Sequence, residues 1–262
     1  MARAATKGVT VQSVERAVAM LQAFFEEGRP LSMTEIAART GLPPATVHRM
    51  LSTLLKIGWI ERDGRNSRYE LSERMIGNAA LAVANSPLLQ YGYPLLNRLS
   101  DATGLNSFLA ALVSRGSVLL ARVPGKPGSA LDFQVGKMLP LHASASGKVF
   151  LAGLSDLERN EYLARQGGLK RITSKTIIDP ESLLIELEAV RQKGYAVDRG
   201  ELYEGYRSIA VPVRKDDGVI AAALCLGGWP PSAGDEFEED LLRQIMPAAD
   251  EFSRVYGRFE AW

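Results

Sequence analysis

The chain has 262 residues, 46% hydrophobic and 23% charged, with a formal net charge of +1. That length buries a substantial core in one large or two smaller domains, and no run approaches the roughly 18 apolar residues that cross a bilayer. A single cysteine, Cys225, excludes an internal disulfide and any multi-cysteine metal site, and points to a reducing cytoplasm.

Arg3 and Lys7 near the start have no apolar stretch behind them, so no secretory signal is expected. Residues 1–75 hold 11 Lys and Arg against 8 Asp and Glu, and residues 76–262 hold 20 against 22. The positive surplus lies in the N-terminal third. From Ser13 to Phe25, the residues Val14, Ala17, Val18, Leu21, Phe24 and Phe25 recur at helical steps and predict one buried stripe. Ser32 and Glu35 then have the spacing of a capping box, opening a short helix that stops at Gly41. Pro43 and Pro44 suit the first turn of a third helix, where a missing N–H is harmless. That helix is expected to bury Val47, Met50, Leu51, Leu54 and Leu55, to present Thr46, His48, Arg49, Ser52 and Lys56, and to close at Gly58. This order of elements is a helix-turn-helix. Two short strands, Trp59–Arg62 and Arg68–Leu71, around Asp63-Gly64 add a wing. Arg62, Arg65, Asn66 and Arg68 gather there, where arginines can reach phosphates or a minor groove.

Ser72 is a plausible cap for a helix running toward Pro87, with Met75, Ile76, Ala79, Ala80 and Val83 along one stripe. Beyond Pro87 a helix is expected up to Gly104, then strands in "NSFLAALV", "SVLLARVP" and "ALDFQVG". Two helices follow, one capped by Ser155 with Glu158 and one by Asp179 with Gly194 past its end. Strands "SIAVPVR" and "VIAAALCLGG" flank the Asp216-Asp217-Gly218 turn, and Pro247 should kink or split the last helix. The fold class is α+β: an N-terminal winged helix-turn-helix, a linker helix, and a C-terminal domain with an antiparallel-type sheet flanked by helices. The domains expected are 1–72, 73–87 and 88–262.

The stretch "LHASASGKVF", residues 141–150, invites a chemical reading. A phosphate-binding P-loop requires glycine five residues before its Gly-Lys pair and Ser or Thr after it. Here those positions are His142 and Val149. A nucleophile elbow needs glycine two residues before its serine, and a triad needs a histidine base. Only His48, on the third helix, and His142 exist. Two distant histidines and one cysteine provide no metal-ligand spacing either. No catalytic residue, cofactor or metal is therefore assigned. An anion-binding loop remains: a helix starting near Gly147 would favour a carboxylate through its free N–H groups and its dipole.

"SVERAVAMLQAF", "LSMTEIAARTGLPPATVHRMLSTLLKIGWIERD" and "RYELS", with "LPLHASASGKVFLA" and "GYAVDRGELYEGYRSIAVPVRKDDGVIAAALCLGG", closely resemble the IclR family of bacterial transcription regulators. The blocks span nearly the whole chain in the family's order. The resemblance implies a GAF/PAS-like effector-binding domain and a third helix in the major groove, with Pro44, Ala45, Thr46, His48, Arg49 and Ser52 facing DNA. It also implies double-stranded operator DNA, palindromic in keeping with a homodimer paired through the linker helix, a tetramer being the alternative. In such regulators the 141–150 loop lines the effector pocket, so Ala145 and Ser146, with Gly147, would offer backbone N–H groups to a ligand carboxylate. Asp198 and Glu201 match acidic family positions, whereas Arg199 and Gly200 stand where acids are common. Ser208 replaces a frequent cysteine, Cys225 and Gly227 replace frequent serines, and Trp229 replaces a frequent proline. These departures lean toward an effector with an aromatic or apolar body. The rival readings are an enzyme whose winged helix contacts protein, and a constitutive DNA-binding protein whose second domain only dimerises.

Overall fold

A computed structural model describes residues 10–64, 67–113, 116–126, 134–229 and 236–257. The chain divides into two compact units, Met1–Asn85 and Ser86–Trp262.

In the first unit, α1 (Gln12–Glu27), α2 (Met33–Thr40) and α3 (Pro44–Lys56) precede a hairpin of β1 (Ile60–Arg62) and β2 (Tyr69–Leu71). Their shared core contains Met20, Phe24, Leu31, Ile36, Val47, Leu51 and Ile60. The capping box of α2 forms on both sides, and Gly41 ends the helix at φ 66°, a conformation glycine adopts without a Cβ clash. Pro43 is the N-cap of α3 and Pro44 its first residue. Leu31 pairs with Tyr69 through two backbone bonds of 2.8 Å, tying the wing to the chain before α2. The stripe expected on α1 needs correction. Val14, Val18 and Phe25 are exposed, and burial begins with Met20, Leu21, Ala23 and Phe24. Only the C-terminal half of α1 packs on this core. Met50 and Leu55 are half-buried.

Glu35 fastens the wing to α2. Its carboxylate accepts the Ser32 N–H at 2.8 Å, Arg68 at 2.9 Å and Arg29 at 3.0 Å. The Ser32 backbone and hydroxyl bonds, then Arg29, hold it down at about 2, below the ordinary 4.5. A depressed carboxylate contributes stability above 4.5 that is lost as pH falls toward 2. Acid unfolding followed through Trp59, with Trp229 and Trp262 replaced by Phe, should therefore steepen across that window. In Glu35→Gln the steepening should vanish; if it persists, another group titrates.

Ser72 caps α4 (Glu73–Ala84) by accepting the Met75 N–H at 3.2 Å, while its hydroxyl donates to the Gly58 carbonyl at 2.6 Å. No residue of α4 is buried, and Ile76, Leu81 and Val83 are exposed.

The second unit opens with α5 (Pro87–Thr103), then β3 (Asn106–Val113), β4 (Gly116–Val123) and β5 (Met138–Leu139). Next come α6 (Ala145–Gly153), α7 (Asp156–Gln166), α8 (Pro180–Lys193), β6 (Ala196–Asp198), β7 (Arg207–Arg214), β8 (Ile220–Gly228) and α9 (Glu236–Gly257). The six strands form one antiparallel sheet in the order β5-β4-β3-β8-β7-β6. α5 and α9 cover one face with Leu96, Ile245 and Phe252. On the other face Phe150, Tyr162 and Leu187 bring in α6, α7 and α8. The caps at Ser155, Asp179 and Gly194 form as expected.

Gln134–Gly136 lie in a turn, where a strand was expected, and 130–133 of that stretch lie outside the described residues. α9 runs unbroken through Pro247. That proline is exposed, while Ile245, Ala248, Ala249 and Phe252 are buried beside it. Packing on both sides holds the two halves of the helix in line.

Candidate functional site

Two surfaces carry the expected chemistry, one in each unit. On α3, Pro44, Ala45, His48, Arg49 and Ser52 are exposed and Thr46 is half-buried. The Ala45 N–H sits in the first helical turn, where no intrahelical acceptor exists. The Ser52 hydroxyl donates to the His48 carbonyl at 2.9 Å, which leaves its lone pairs outward. Arg49 lies at the rim of an open apolar groove with Val14, Ala17, Val18, Met50 and Trp59. In the wing, Arg62 stands 5.6 Å from the Tyr69 ring centroid. Arg68 turns inward, donating to Glu35 and to the Pro30 carbonyl at 3.1 Å. Arg65 and Asn66 lie outside the described residues.

The 141–150 stretch is a tight turn followed by a helix that begins at Ala145, two residues before the expected Gly147. Ser144 makes the difference. Its hydroxyl accepts the Gly147 N–H at 3.2 Å and donates to the Pro140 carbonyl at 2.8 Å, so it is the N-cap. Gly147 is required by contact: a Cβ there would lie 2.3 Å from Leu141 Cα. With the third N–H taken by Ser144, those of Ala145 and Ser146 remain at the first two helical positions, which have no acceptor within the helix.

Ala145 and Ser146 line a cavity of about 30 Å³ with Asp198, Ser208 and Cys225. Phe108, Ala110, Leu119, Leu139 and Leu202 form its apolar walls. Ser146 also shares a 3.0 Å hydroxyl contact with Ser117. The other expected pocket residues take different places. Glu201 turns to Lys148, with the Lys148 ammonium donating to it at 2.6 Å and to Glu186 at 3.1 Å. Gly227 leaves room for Tyr206, whose hydroxyl would be 2.6 Å from a Cβ at that position. Gly147 faces Leu141.

Asp198 ends β6 and accepts N–H bonds at Oδ1 from Gly200 at 3.0 Å, Glu201 at 2.7 Å and Leu202 at 3.4 Å. Burial nevertheless pushes its carboxyl up to about 7. Burial likewise raises the Cys225 thiol to about 12 and moves the Tyr206 phenol well up from its ordinary value. His142 Nε2 donates to the Lys170 carbonyl at 3.0 Å, holding the turn against the loop after α7.

Lys148, Ser117, Tyr206 and the apolar walls were absent from the sequence-predicted site. Lys148 carried one signal: it stands in a short helix, "ASGKVFLAG", with apolar residues on every side, and such helices are buried. No helix among the described residues is long and apolar enough to cross a membrane.

Residues 80–254 match the family of bacterial transcriptional regulator IclR C-terminal domains, and residues 13–64 match the IclR helix-turn-helix domain family. The chain is 32% identical to the HTH-type transcriptional regulator XynR of Escherichia coli, over 94% of this chain and 98% of that protein. It is 36% identical to the Pca regulon regulatory protein of Pseudomonas putida, over 81% and 72%. Among solved structures, the IclR transcriptional regulator of Alicyclobacillus acidocaldarius superposes with a TM-score of 0.84 at 27% identity, covering 94% of this chain and 98% of that one. An IclR homolog of Microbacterium hydrocarbonoxydans complexed with 4-hydroxybenzoate has a TM-score of 0.78 at 28% identity, over 93% and 99%.

Proposed function

The chain belongs to the IclR family of bacterial transcriptional regulators, and from that premise we propose that a small carboxylic acid in the α6 pocket controls its hold on DNA. The family is one of DNA-binding regulators with an effector-binding domain, and not of enzymes. The observation that carries the carboxylate is the start of α6. Two N–H groups without intrahelical acceptors, at the positive end of a helix dipole, open beside apolar walls. Those walls favour an acid with an aromatic or apolar body, and the relative bound to 4-hydroxybenzoate supports that class. A cavity of about 30 Å³ holds one or two waters. Such an acid therefore binds by moving a wall, and Leu202, in the turn after β6, is one of those walls.

The effector biases DNA binding by its different affinity for two arrangements of the protein. Pro44, Ala45, Thr46, His48, Arg49 and Ser52 face the major groove, and Arg62, Arg65 and Asn66 reach the flanking phosphates or the minor groove. Arg68 acts through Glu35, by holding the wing in place. The exposed apolar side chains of α4 support a homodimer joined through the linker of residues 73–87. A two-fold protein of this kind matches a palindromic operator in the cytoplasm.

Ala145→Pro tests the pocket. Proline is tolerated at the first helical position, and Ser144 already has the extended backbone that precedes it, at φ −118° and ψ 146°. The change removes one donor to an anion, worth about 1.5–3 kcal/mol. Calorimetry with benzoates should show affinity falling roughly tenfold or more, with operator binding in their absence retained. Unchanged acid affinity would remove the start of α6 from the site.

A further inference from the structure

Among the described residues that line the cavity, Asp198 is the one that can carry charge near neutral pH. The carboxylate proposed above would share a small, apolar-walled enclosure with it. Among the described residues that line the cavity there is no cation to offset two anions; Arg122 of β4, in register with Phe108, donates to Asn106 Oδ1 at 3.4 Å. Lys148 of α6, the nearby ammonium, is already engaged by Glu201 and by Glu186 of α8. Glu201, in the turn after β6, adds charge of the same sign. From β8 the Cys225 thiol, and from just before β7 the Tyr206 phenol, are held neutral by burial. Two carboxylates in one site of this kind do not both ionise.

Resting on that carboxylate reading, we propose that the effector binds together with one proton, which Asp198 takes up from solvent. Three N–H groups occupy Oδ1, which leaves Oδ2 to carry the proton and to donate to the bound anion. The acid form of Asp198 then becomes part of the recognition, and sensing is tied to pH.

Burial above all, with the charge of Glu201, raises Asp198 against the opposing backbone N–H groups and Lys148, and the net result is about 7. The bound anion raises it again. Below about 7 the proton is therefore present before binding, and affinity is flat. Above it the proton must be taken up, and Kd rises about tenfold per pH unit.

The test is calorimetric titration of the full chain with benzoate and 4-hydroxybenzoate, from about pH 6 to about 8.5. Each pH is run in two buffers of different ionisation enthalpy, which counts protons. The expected result is uptake of one proton per acid at the alkaline end, with Kd weakening there about tenfold per unit. In Asp198→Asn, whose Oδ1 can still accept the three N–H bonds, Kd should be flat and uptake absent. Acid binding to the native chain with flat Kd and no uptake overturns the proton and leaves the carboxylate site standing. Uptake that survives in Asp198→Asn overturns its assignment to Asp198. No binding at any pH overturns the carboxylate reading and this inference with it.

Discussion

Gly147→Ala should destabilise the C-terminal unit by at least about 3 kcal/mol, at the upper end of overpacking effects. The added Cβ would stand 2.3 Å from Leu141 Cα, 2.4 Å from its carbonyl oxygen and 2.7 Å from its carbonyl carbon. All three are backbone atoms of a turn packed at the head of the same helix. Neither side can give without moving the start of α6. For a domain of this size the loss corresponds to a fall in Tm of roughly 6–12 °C. Differential scanning calorimetry of the full chain would measure it. Gly153→Ala is the control: its Cβ would meet the end of the Ile220 side chain at 2.5 Å, which can turn away. Equal effects from the two substitutions would show that the Leu141 contact is not what demands glycine.

Lys148→Met should destabilise by about 3–5 kcal/mol, because it leaves a buried carboxylate without its partner. The side chains of Lys148 and Glu201 are 1% and 8% exposed, and that of Glu186 is 27% exposed. Most of the uncompensated charge therefore falls on Glu201. Lys148→Met/Glu201→Gln removes both buried charges and should recover most of the loss. Urea unfolding of the four proteins of this cycle gives the coupling between the two residues. A single substitution costing under about 1 kcal/mol would place the pair among surface-like ion pairs of little weight.

The legible parts of this fold were those written in local chemistry. Ser32 with Glu35, Ser155 with Glu158, and Asp179 with Gly194 mark helix ends by spacing alone, and each forms. β3 spans the same residues as the apolar string that announced it. What failed depended on distant partners. The α1 stripe was read as wholly buried, although its first turns meet no core. Pro247 looked like a break because nothing local shows what packs on either side of it. β5 and β6, of two and three residues, are too short to carry a period.

The pocket was half legible for the same reason. Ala145, Ser146, Asp198, Ser208 and Cys225 do meet around one cavity. Lys148 was missed because a lysine is ordinarily solvated, and the carboxylate that permits its burial lies 53 residues away. Glu201, expected at the ligand, accepts from that lysine through Oε1. The start of α6 moved by two residues because Ser144, and not a later residue, captures the Gly147 N–H.

The bare flanks of α4 have a mechanical consequence. Twelve residues are few for a helix that must sustain itself in water. Short helices without tertiary packing are marginal in water, and a marginal helix transmits torque poorly. Once its apolar side is covered, the same segment becomes a rod. Under the homodimer proposed above, the stiffness of α4 would follow protein concentration, through the fraction of chains that is paired.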